Sequence, residues 1–270
     1  YLHPASRHPF MHAPLSSLWK LPSQGIRCHA GPEQRICHTC RSAHADVRLR
    51  CAACALLLPA AHRTHTDTAN TVTQPEPPRL CADGIRQPLA GIDACHAAVS
   101  YGWPWQQCVD GFKFGAQTGW ASLFADLMVQ NPRMVQAIRA SDCLIPMPLH
   151  PLRLAERGFN QSLLLAKALR ASAHQQQALQ PQQAVLCSNS LLRIRHTRTQ
   201  SQLPLADRLR NMRKAFSVPA AKADALAGKR IVLVDDVMTS GASVLSAVQA
   251  LRQTNVAHVQ VLVFARTEKG

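Results

Sequence analysis

The stretch RIVLVDDVMTSGASV, residues 230–244, constrains the fold of this chain more than any other segment. Its uninterrupted apolar run, 231–234, is typical of a strand buried on both faces of a parallel sheet. Two aspartates, Asp235 and Asp236, end that run, and small residues then lead into a segment with helical periodicity. A strand–turn–helix unit of this kind predicts an α/β fold.

Other segments continue the same alternation from about Ala97 onward. The stretch DCLIPMPLHP predicts a short strand that Pro146 and Pro148 must end or divert, because proline cannot donate to a sheet. We expect helices over 161–171 and 243–253 and a further strand over 258–265. The sequence therefore predicts a parallel sheet flanked by helices, preceded by a small cysteine-rich module.

The paired aspartates lie where parallel sheets place their ligands, at the carboxyl end of a strand. Adjacent carboxylates repel each other, but the hydroxyl groups of a sugar or a hydrated divalent cation would use them. Residues 239–243 precede a helix, and free N–H groups at a helix start bind phosphate. Gly241 is the residue best able to adopt the backbone angles that such a turn requires. The alternative is structural: the aspartates cap a strand end and Ser243 caps the next helix.

The same stretch resembles the phosphoribosyl pyrophosphate (PRPP) motif of type I phosphoribosyltransferases. The resemblance implies that Asp235 and Asp236 hold the ribose hydroxyls. It implies that the 5′-phosphate is bound by Thr239, Ser240, Gly241, Ala242 and Ser243. A phosphoribosyl transfer also implies Mg²⁺ beside the pyrophosphate.

Two further stretches resemble the signatures of the ComF/GntX family, PMPLHPLRLAERGFNQSLLLAKAL and RIRHTRTQSQLPLADRLRNMRKAF. DGFKFG, residues 110–115, also fits the family weakly. The resemblance implies a type I phosphoribosyltransferase-like domain linked to natural competence, with DNA and a helicase-like protein as possible partners. Guanidinium and amide donors at a helix start suit the pyrophosphate end of PRPP, which predicts that role for Arg157, Asn160 and Gln161. We expect Arg157, with Asp235 and Asp236, to be catalytic. The alternative is a capping turn with an exposed arginine.

Two pairs of cysteines, Cys37 with Cys40 and Cys51 with Cys54, have the C-x₂-C spacing of a structural zinc site. The alternative is a set of buried free thiols. ComF-like proteins tend to carry further knuckles on each side, and here the flanking pairs keep only Cys28 and Cys81. Those thiols, or a nearby histidine (His29, His38 or His44), are therefore alternative ligands. We expect the remaining thiols to be packing residues: Cys95, Cys108, Cys143 and Cys187.

We expect four regions along the chain: an N-terminal extension over 1–27, a zinc module over 28–60, a linker over 61–96 and a phosphoribosyltransferase-like domain over 97–270. No apolar stretch reaches the length of a transmembrane helix, and the start lacks the apolar centre of a secretory signal. We therefore expect a cytoplasmic protein with reduced thiols.

Two functions remain open from the sequence. The first is PRPP-dependent transfer to an unidentified acceptor. The second is a non-catalytic, DNA-associated competence factor, which the formal net charge of +15 favours. The arginine-rich stretch over 193–213 fits either, as a lid over pyrophosphate or as a nucleic-acid surface.

Overall fold

The structure is a computed structural model that describes residues 36, 49–58, 80–81, 89–176, 183–195 and 214–268. The chain divides into two units, Tyr1–His44 and Ala45–Gly270. The account below concerns the second unit. The predicted limits 1–27, 28–60, 61–96 and 97–270 stay predictions. Within the described residues, no helix is both long and apolar enough to cross a membrane.

A parallel sheet forms the centre of the second unit, as predicted. Its strands are β1 (Ala94–Ser100), β2 (Cys143–Pro146), β3 (Val185–Leu186), β6 (Arg230–Met238) and β7 (His258–Arg266), in the order β1-β7-β6-β2-β3. Two short strands, β4 (Leu192–Arg193) and β5 (Phe216–Ser217), form a separate antiparallel pair. The middle strands β6 and β7 are almost entirely buried, which is why their sequences lack polar alternation.

Seven helices are present in the described residues: α1 (Trp105–Phe114), α2 (Trp120–Met128), α3 (Pro132–Arg139), α4 (Pro151–Arg157), α5 (Gln161–Gln175), α6 (Ala220–Leu226) and α7 (Ala242–Arg252). Local signals set their ends. Asn131 caps α3, with proline in the first turn, and Gly158 ends α4 in the left-handed region at φ +80°. The predicted helices over 161–171 and 243–253 correspond to α5 and α7.

Aromatic packing fixes α1 and α2 against the sheet. The rings of Phe124 and Phe264 stack with centroids 3.8 Å apart, and Trp105 meets Phe264 edge-on at 5.6 Å. Phe112, which is fully buried in α1, contacts Phe124 at 5.6 Å and Phe159 at 6.1 Å. Phe112 thereby joins the end of α1 to the turn between α4 and α5. Both of these segments carry residues of the candidate site.

The unequal lengths of β2 and β6 open one side of β6. β2 pairs with β6 only as far as Pro146 opposite Val234, whereas β7 pairs with β6 on to Met238. From Asp235 onward, β6 has a strand neighbour on one side alone. The prolines that end β2 therefore leave the paired aspartates without a strand neighbour on the β2 side, at the carboxyl edge of the sheet.

Candidate ligand site at the carboxyl edge of the sheet

Asp235 and Asp236 are both buried, at 8% and 2% relative exposure. Ser162, at the start of α5, donates its hydroxyl to Asp235 Oδ1 at 2.8 Å. The backbone N–H of Asp236 donates to the same oxygen at 2.9 Å, and that of Val237 donates to Asp236 Oδ1 at 2.9 Å. These donors hold the two carboxylates in fixed orientations, as a preorganised site requires.

Lys113 supplies the countercharge for this pair. Its Nζ lies 3.0 Å from Asp236 Oδ2, and its side chain is only 19% exposed. Burial alone would lower the pKa of Lys113, but the attraction of Asp236 and Asp235 more than offsets burial and raises the pKa. The lysine is therefore charged at physiological pH, and one cation serves two adjacent carboxyl groups.

One cation does not balance two carboxylates. Burial, followed by repulsion from Asp236, raises the pKa of Asp235 to about 7. The two carboxyl groups therefore repel each other in the ligand-free protein. A ligand that donates hydroxyl hydrogens, or a hydrated cation, would relieve that repulsion. Carboxyl groups with strongly perturbed pKa values are typical of functional sites.

Residues 239–243 form the turn between β6 and α7, and they are called the phosphate loop below after the role predicted for them. Gly241 adopts φ +79°, as the sequence predicted, and a Cβ there would lie 2.7 Å from Met238 Cε. Thr239 is exposed and Ser240 half-buried, so the loop is accessible. The N-cap of α7 is Gly241, so the alternative role of Ser243 as the helix cap is not observed. The N–H of Ala242, the first residue of α7, donates to Ser240 Oγ at 3.4 Å, so the first turn of this helix adjoins the loop.

The turn between α4 and α5 carries the residues expected at the pyrophosphate end. Asn160 caps α5, since its Oδ1 accepts from the N–H groups of Ser162 and Leu163 at 2.9 and 3.2 Å. Its Nδ2 donates to the Met147 carbonyl at 3.1 Å. Asn160 thus uses both of its polar atoms within the protein. This arrangement favours a structural role for Asn160, and its predicted contact with ligand stays a prediction.

Arg157 lies half-buried beside the carboxylates. Its Nη1 donates to Gln161 Oε1 at 2.6 Å, and its guanidinium lies 5.3 Å from the ring centroid of Phe114. Burial lowers the pKa of Arg157, while the negative charges of Asp236 and Asp235 oppose that change. An arginine so fixed is suited to a phosphate group.

A second arginine, Arg193 of β4, has its guanidinium 5.6 Å from the ring centroid of Phe216 and also interacts electrostatically with Asp235. Burial lowers its pKa, as does repulsion from Arg153, and attraction by Asp235 acts in the opposite direction. Arg153 repels Arg157 as well. Each of the two stretches that resemble the ComF/GntX signatures therefore carries an arginine that is attracted by the aspartates.

Three cysteines form a separate cluster. The sulfur atoms of Cys51, Cys54 and Cys81 all lie within 4.8 Å of one another. Cys54 Sγ is 3.5 Å from Cys81 Sγ, and the backbone N–H of Cys81 donates to Cys51 Sγ at 3.3 Å. The hydrogen bond from Cys54 lowers the pKa of Cys51 to about 5, and the same contact raises that of Cys54. This donor set fits a thiolate-bound metal.

Within the part of the chain that the structure describes, the cluster contains two of the four predicted ligands. Cys51 and Cys54 are together, whereas Cys37 and Cys40 lie outside the described residues. Cys81, an alternative ligand in the sequence analysis, lies beside them. Of the thiols expected to be packing residues, Cys95, Cys108 and Cys143 are buried and Cys187 is half-buried.

Two site residues were not identified from the sequence. Lys113 lies within DGFKFG, but nothing in that segment indicates a contact with Asp236. Ser162 lies at a predicted helix start, where polar residues are common, so the sequence does not indicate its contact with Asp235. Only the weak family match around Lys113 could have drawn attention to it.

Residues 177–270 match the profile of the phosphoribosyl transferase domain. Orotate phosphoribosyltransferase of Rhodopseudomonas palustris is 46% identical over 50 residues, which are 18% of this chain and 27% of that protein.

Two other relatives match longer segments. Competence protein F of Haemophilus influenzae is 31% identical over 140 residues, 52% of this chain and 57% of that protein. DNA utilization protein YhgH of Salmonella typhimurium is 30% identical over 215 residues, 70% of this chain and 89% of that protein. The second match covers enough of both chains to show that this protein belongs to the ComF family of phosphoribosyltransferase-like proteins.

Proposed function

We propose that the protein binds PRPP, or a related ribose 5-phosphate ligand, together with Mg²⁺. The observation that carries the proposal is the pair of buried carboxylates Asp235 and Asp236, held in place beside Lys113 and followed directly by the phosphate loop. The phosphoribosyl transferase profile over 177–270 supports this assignment.

Each part of the site matches one part of the ligand. The carboxylates of Asp235 and Asp236 would accept hydrogen bonds from the ribose hydroxyls, which would relieve their mutual repulsion. The phosphate loop and the start of α7 would take the 5′-phosphate through backbone N–H groups. Arg157 and Arg193 would face the pyrophosphate.

The same residues suit phosphoribosyl transfer. Breaking the bond between ribose C1′ and pyrophosphate makes the ring positive and releases a highly charged anion. Asp235 and Asp236 would orient the ribose, while Arg157 would stabilise the charge that develops on pyrophosphate. Mg²⁺ would add further neutralisation of that charge. We infer a glycosyltransferase-class reaction whose acceptor the described residues do not identify.

Calorimetric titration with PRPP and Mg²⁺ tests the proposal. The parent should bind saturably, and an Asp235→Asn/Asp236→Asn double variant should not. Asp224→Asn is the matched control, because it removes an exposed carboxylate of α6 and should leave binding unchanged. A folded parent that shows no heat of binding would refute the proposal, and so would equal binding by the double variant.

A role around DNA is the second candidate. The net charge of +15 and the name of the relative DNA utilization protein YhgH favour it. Alanine at Arg193, Arg195 and Arg208 should then weaken DNA binding and reduce its dependence on salt. DNA binding that is unchanged in this triple variant would exclude the arginine-rich stretch as the DNA-binding surface.

We also propose that the cysteine cluster binds structural Zn²⁺. Cys51, Cys54 and Cys81 would supply three thiolates, and the predicted ligands Cys37 and Cys40 lie outside the described residues. Zinc content measured by atomic absorption should fall in Cys81→Ser and stay at the parent level in Cys187→Ser. A Cys81→Ser protein that retains full zinc would exclude Cys81 and favour the original set of Cys37, Cys40, Cys51 and Cys54.

A further inference from the structure

Arg266 lies at the end of β7 and is buried, at 6% exposure. Its Nε donates to the carbonyl of Cys54 at 3.0 Å. Its Nη1 donates to the carbonyl of Met238 at 3.0 Å, and also contacts the carbonyl of Thr239. One guanidinium therefore bonds to two segments that are remote in sequence.

These two segments belong to different sites. Cys54 lies in the loop that carries two thiols of the cysteine cluster. Met238 and Thr239 form the junction between β6 and the phosphate loop. Because a guanidinium is planar and rigid, its donors fix the relative positions of the carbonyls that they contact. A shift of the Cys54 carbonyl would therefore move Arg266 and, with it, the carbonyl of Thr239.

Side-chain packing reinforces this connection. Leu89 packs against both the cysteine cluster and the main core, and its methyl groups lie within 4 Å of the Cβ position of Gly241. The Cys95 thiol contacts Met238 Sδ at 3.7 Å. The phosphate loop is thus packed against residues that also contact the cysteine loop.

The tail beyond β7 holds the other end of the cysteine loop. Glu268 accepts from the backbone N–H of Leu57 at 3.0 Å and pairs with Arg50 at 2.8 Å. Arg50 in turn donates to the carbonyl of Ala55 at 2.8 Å. Both ends of the cysteine loop are therefore held by hydrogen bonds. A movement of its thiols would shift the Cys54 carbonyl, and Arg266 connects that carbonyl directly to the phosphate loop.

We propose that Arg266 is a positioning residue that couples the cysteine cluster to the phosphate loop. Metal bound by Cys51 and Cys54 fixes the carbonyl of Cys54, Arg266 transmits that position to Met238 and Thr239, and the loop then presents its N–H groups in the binding geometry. Where the ligand is concerned, this inference rests on the proposed function. Coupling of this kind is reciprocal and commonly changes affinity by about 5- to 150-fold.

The first test needs no ligand. Amide hydrogen exchange is measured across the phosphate loop in the zinc-loaded protein and after chelation. Removing zinc should speed exchange in the loop several-fold, while the amides of α5 stay protected. In Arg266→Lys, which keeps the charge but loses the planar group, the loop should exchange fast with or without zinc. Arg133→Lys, at an exposed position, is the matched control and should behave as the parent.

The second test uses PRPP with Mg²⁺ as the probe. Zinc-loaded protein should bind it at least fivefold more tightly than chelated protein, and PRPP should slow zinc transfer to a chelator by a similar factor. In Arg266→Lys, the ratio of the two PRPP affinities and the ratio of the two zinc-transfer rates should both approach 1.

The outcomes separate the two proposals. PRPP binding that does not depend on zinc would overturn the coupling and leave the proposed function intact. A parent that does not bind PRPP would refute the proposed function, and the exchange measurement would then decide the coupling. Loop exchange that is unaffected by zinc, or a purified protein that holds no metal, would overturn the coupling in either case.

Discussion

Replacing Asp235 with asparagine is expected to stabilise the ligand-free protein while abolishing its proposed ligand binding. The asparagine Oδ1 can still accept from the Ser162 hydroxyl and the Asp236 N–H, so neither donor is left unpaired. The substitution removes one of two adjacent buried charges. The parent tolerates that charge because the site is built for a ligand.

The magnitude follows from the pKa of Asp235, which burial and repulsion from Asp236 raise from 3.8 to about 7. A carboxyl group with a raised pKa in the folded state holds its proton more tightly than in the unfolded chain. Its contribution to stability is therefore fully present below pH 3.8, falls as pH rises, and is lost above pH 7. At pH 8 the ionised Asp235 costs on the order of 4 kcal/mol, of which about 2 kcal/mol develops between pH 5.5 and pH 8.

Urea unfolding of the parent and Asp235→Asn at these two pH values measures the difference. The variant should be more stable at pH 8, and its advantage should be about 2 kcal/mol smaller at pH 5.5. Both proteins carry the same cysteine cluster, so effects of pH on its thiols cancel in the comparison. An advantage that does not change with pH, or a variant less stable than the parent at pH 8, would refute the argument that Asp235 carries an unfavourable charge.

Three further substitutions test other parts of the site. Lys113→Met leaves Asp236 buried without its cation and should lower the free energy of unfolding by about 3 kcal/mol, whereas Lys113→Arg should recover most of the loss in urea unfolding. A Lys113→Met variant with the same free energy of unfolding as the parent would contradict a stabilising ion pair between Lys113 and Asp236. Gly241→Ala forces a Cβ onto Met238 at φ +79° and should cost about 1–3 kcal/mol, with weaker PRPP binding in calorimetry; unchanged binding would argue against the phosphate loop. Asn160→Ala removes the cap of α5 and should cost about 1–2 kcal/mol in thermal or urea unfolding, and an unaffected stability would deny it that role.

The local sequence was sufficient to predict the individual strands, helices and turns of the site, but not how they come together. The apolar run before Asp235, the small residues around Gly241 and the proline-ended strand β2 each have a local physical cause, so the strands and helices could be predicted from the sequence. The family resemblance then implied PRPP as the ligand, which stays a proposal. Neither the local sequence nor the resemblance could show which of these segments lie next to each other.

The residues that complete both sites meet across the fold. Lys113 reaches Asp236 because Phe112 packs α1 against the aromatic core, and Ser162 reaches Asp235 because α5 packs against β6. The segment that contains Cys81 returns to the loop of Cys51 and Cys54.

By itself, the sequence determined the α/β class, the carboxylate pair, the phosphate loop and the cysteine-rich character of the N-terminal region. These follow from periodicity, backbone geometry and side-chain chemistry within short segments. Only the tertiary structure decided that Lys113 pairs with Asp236, that Cys81 joins the cluster, and that Arg266 bonds both to the cysteine loop and to the end of β6. Those contacts depend on strand order and on the early end of β2, and no local pattern specifies the order in which buried strands pair.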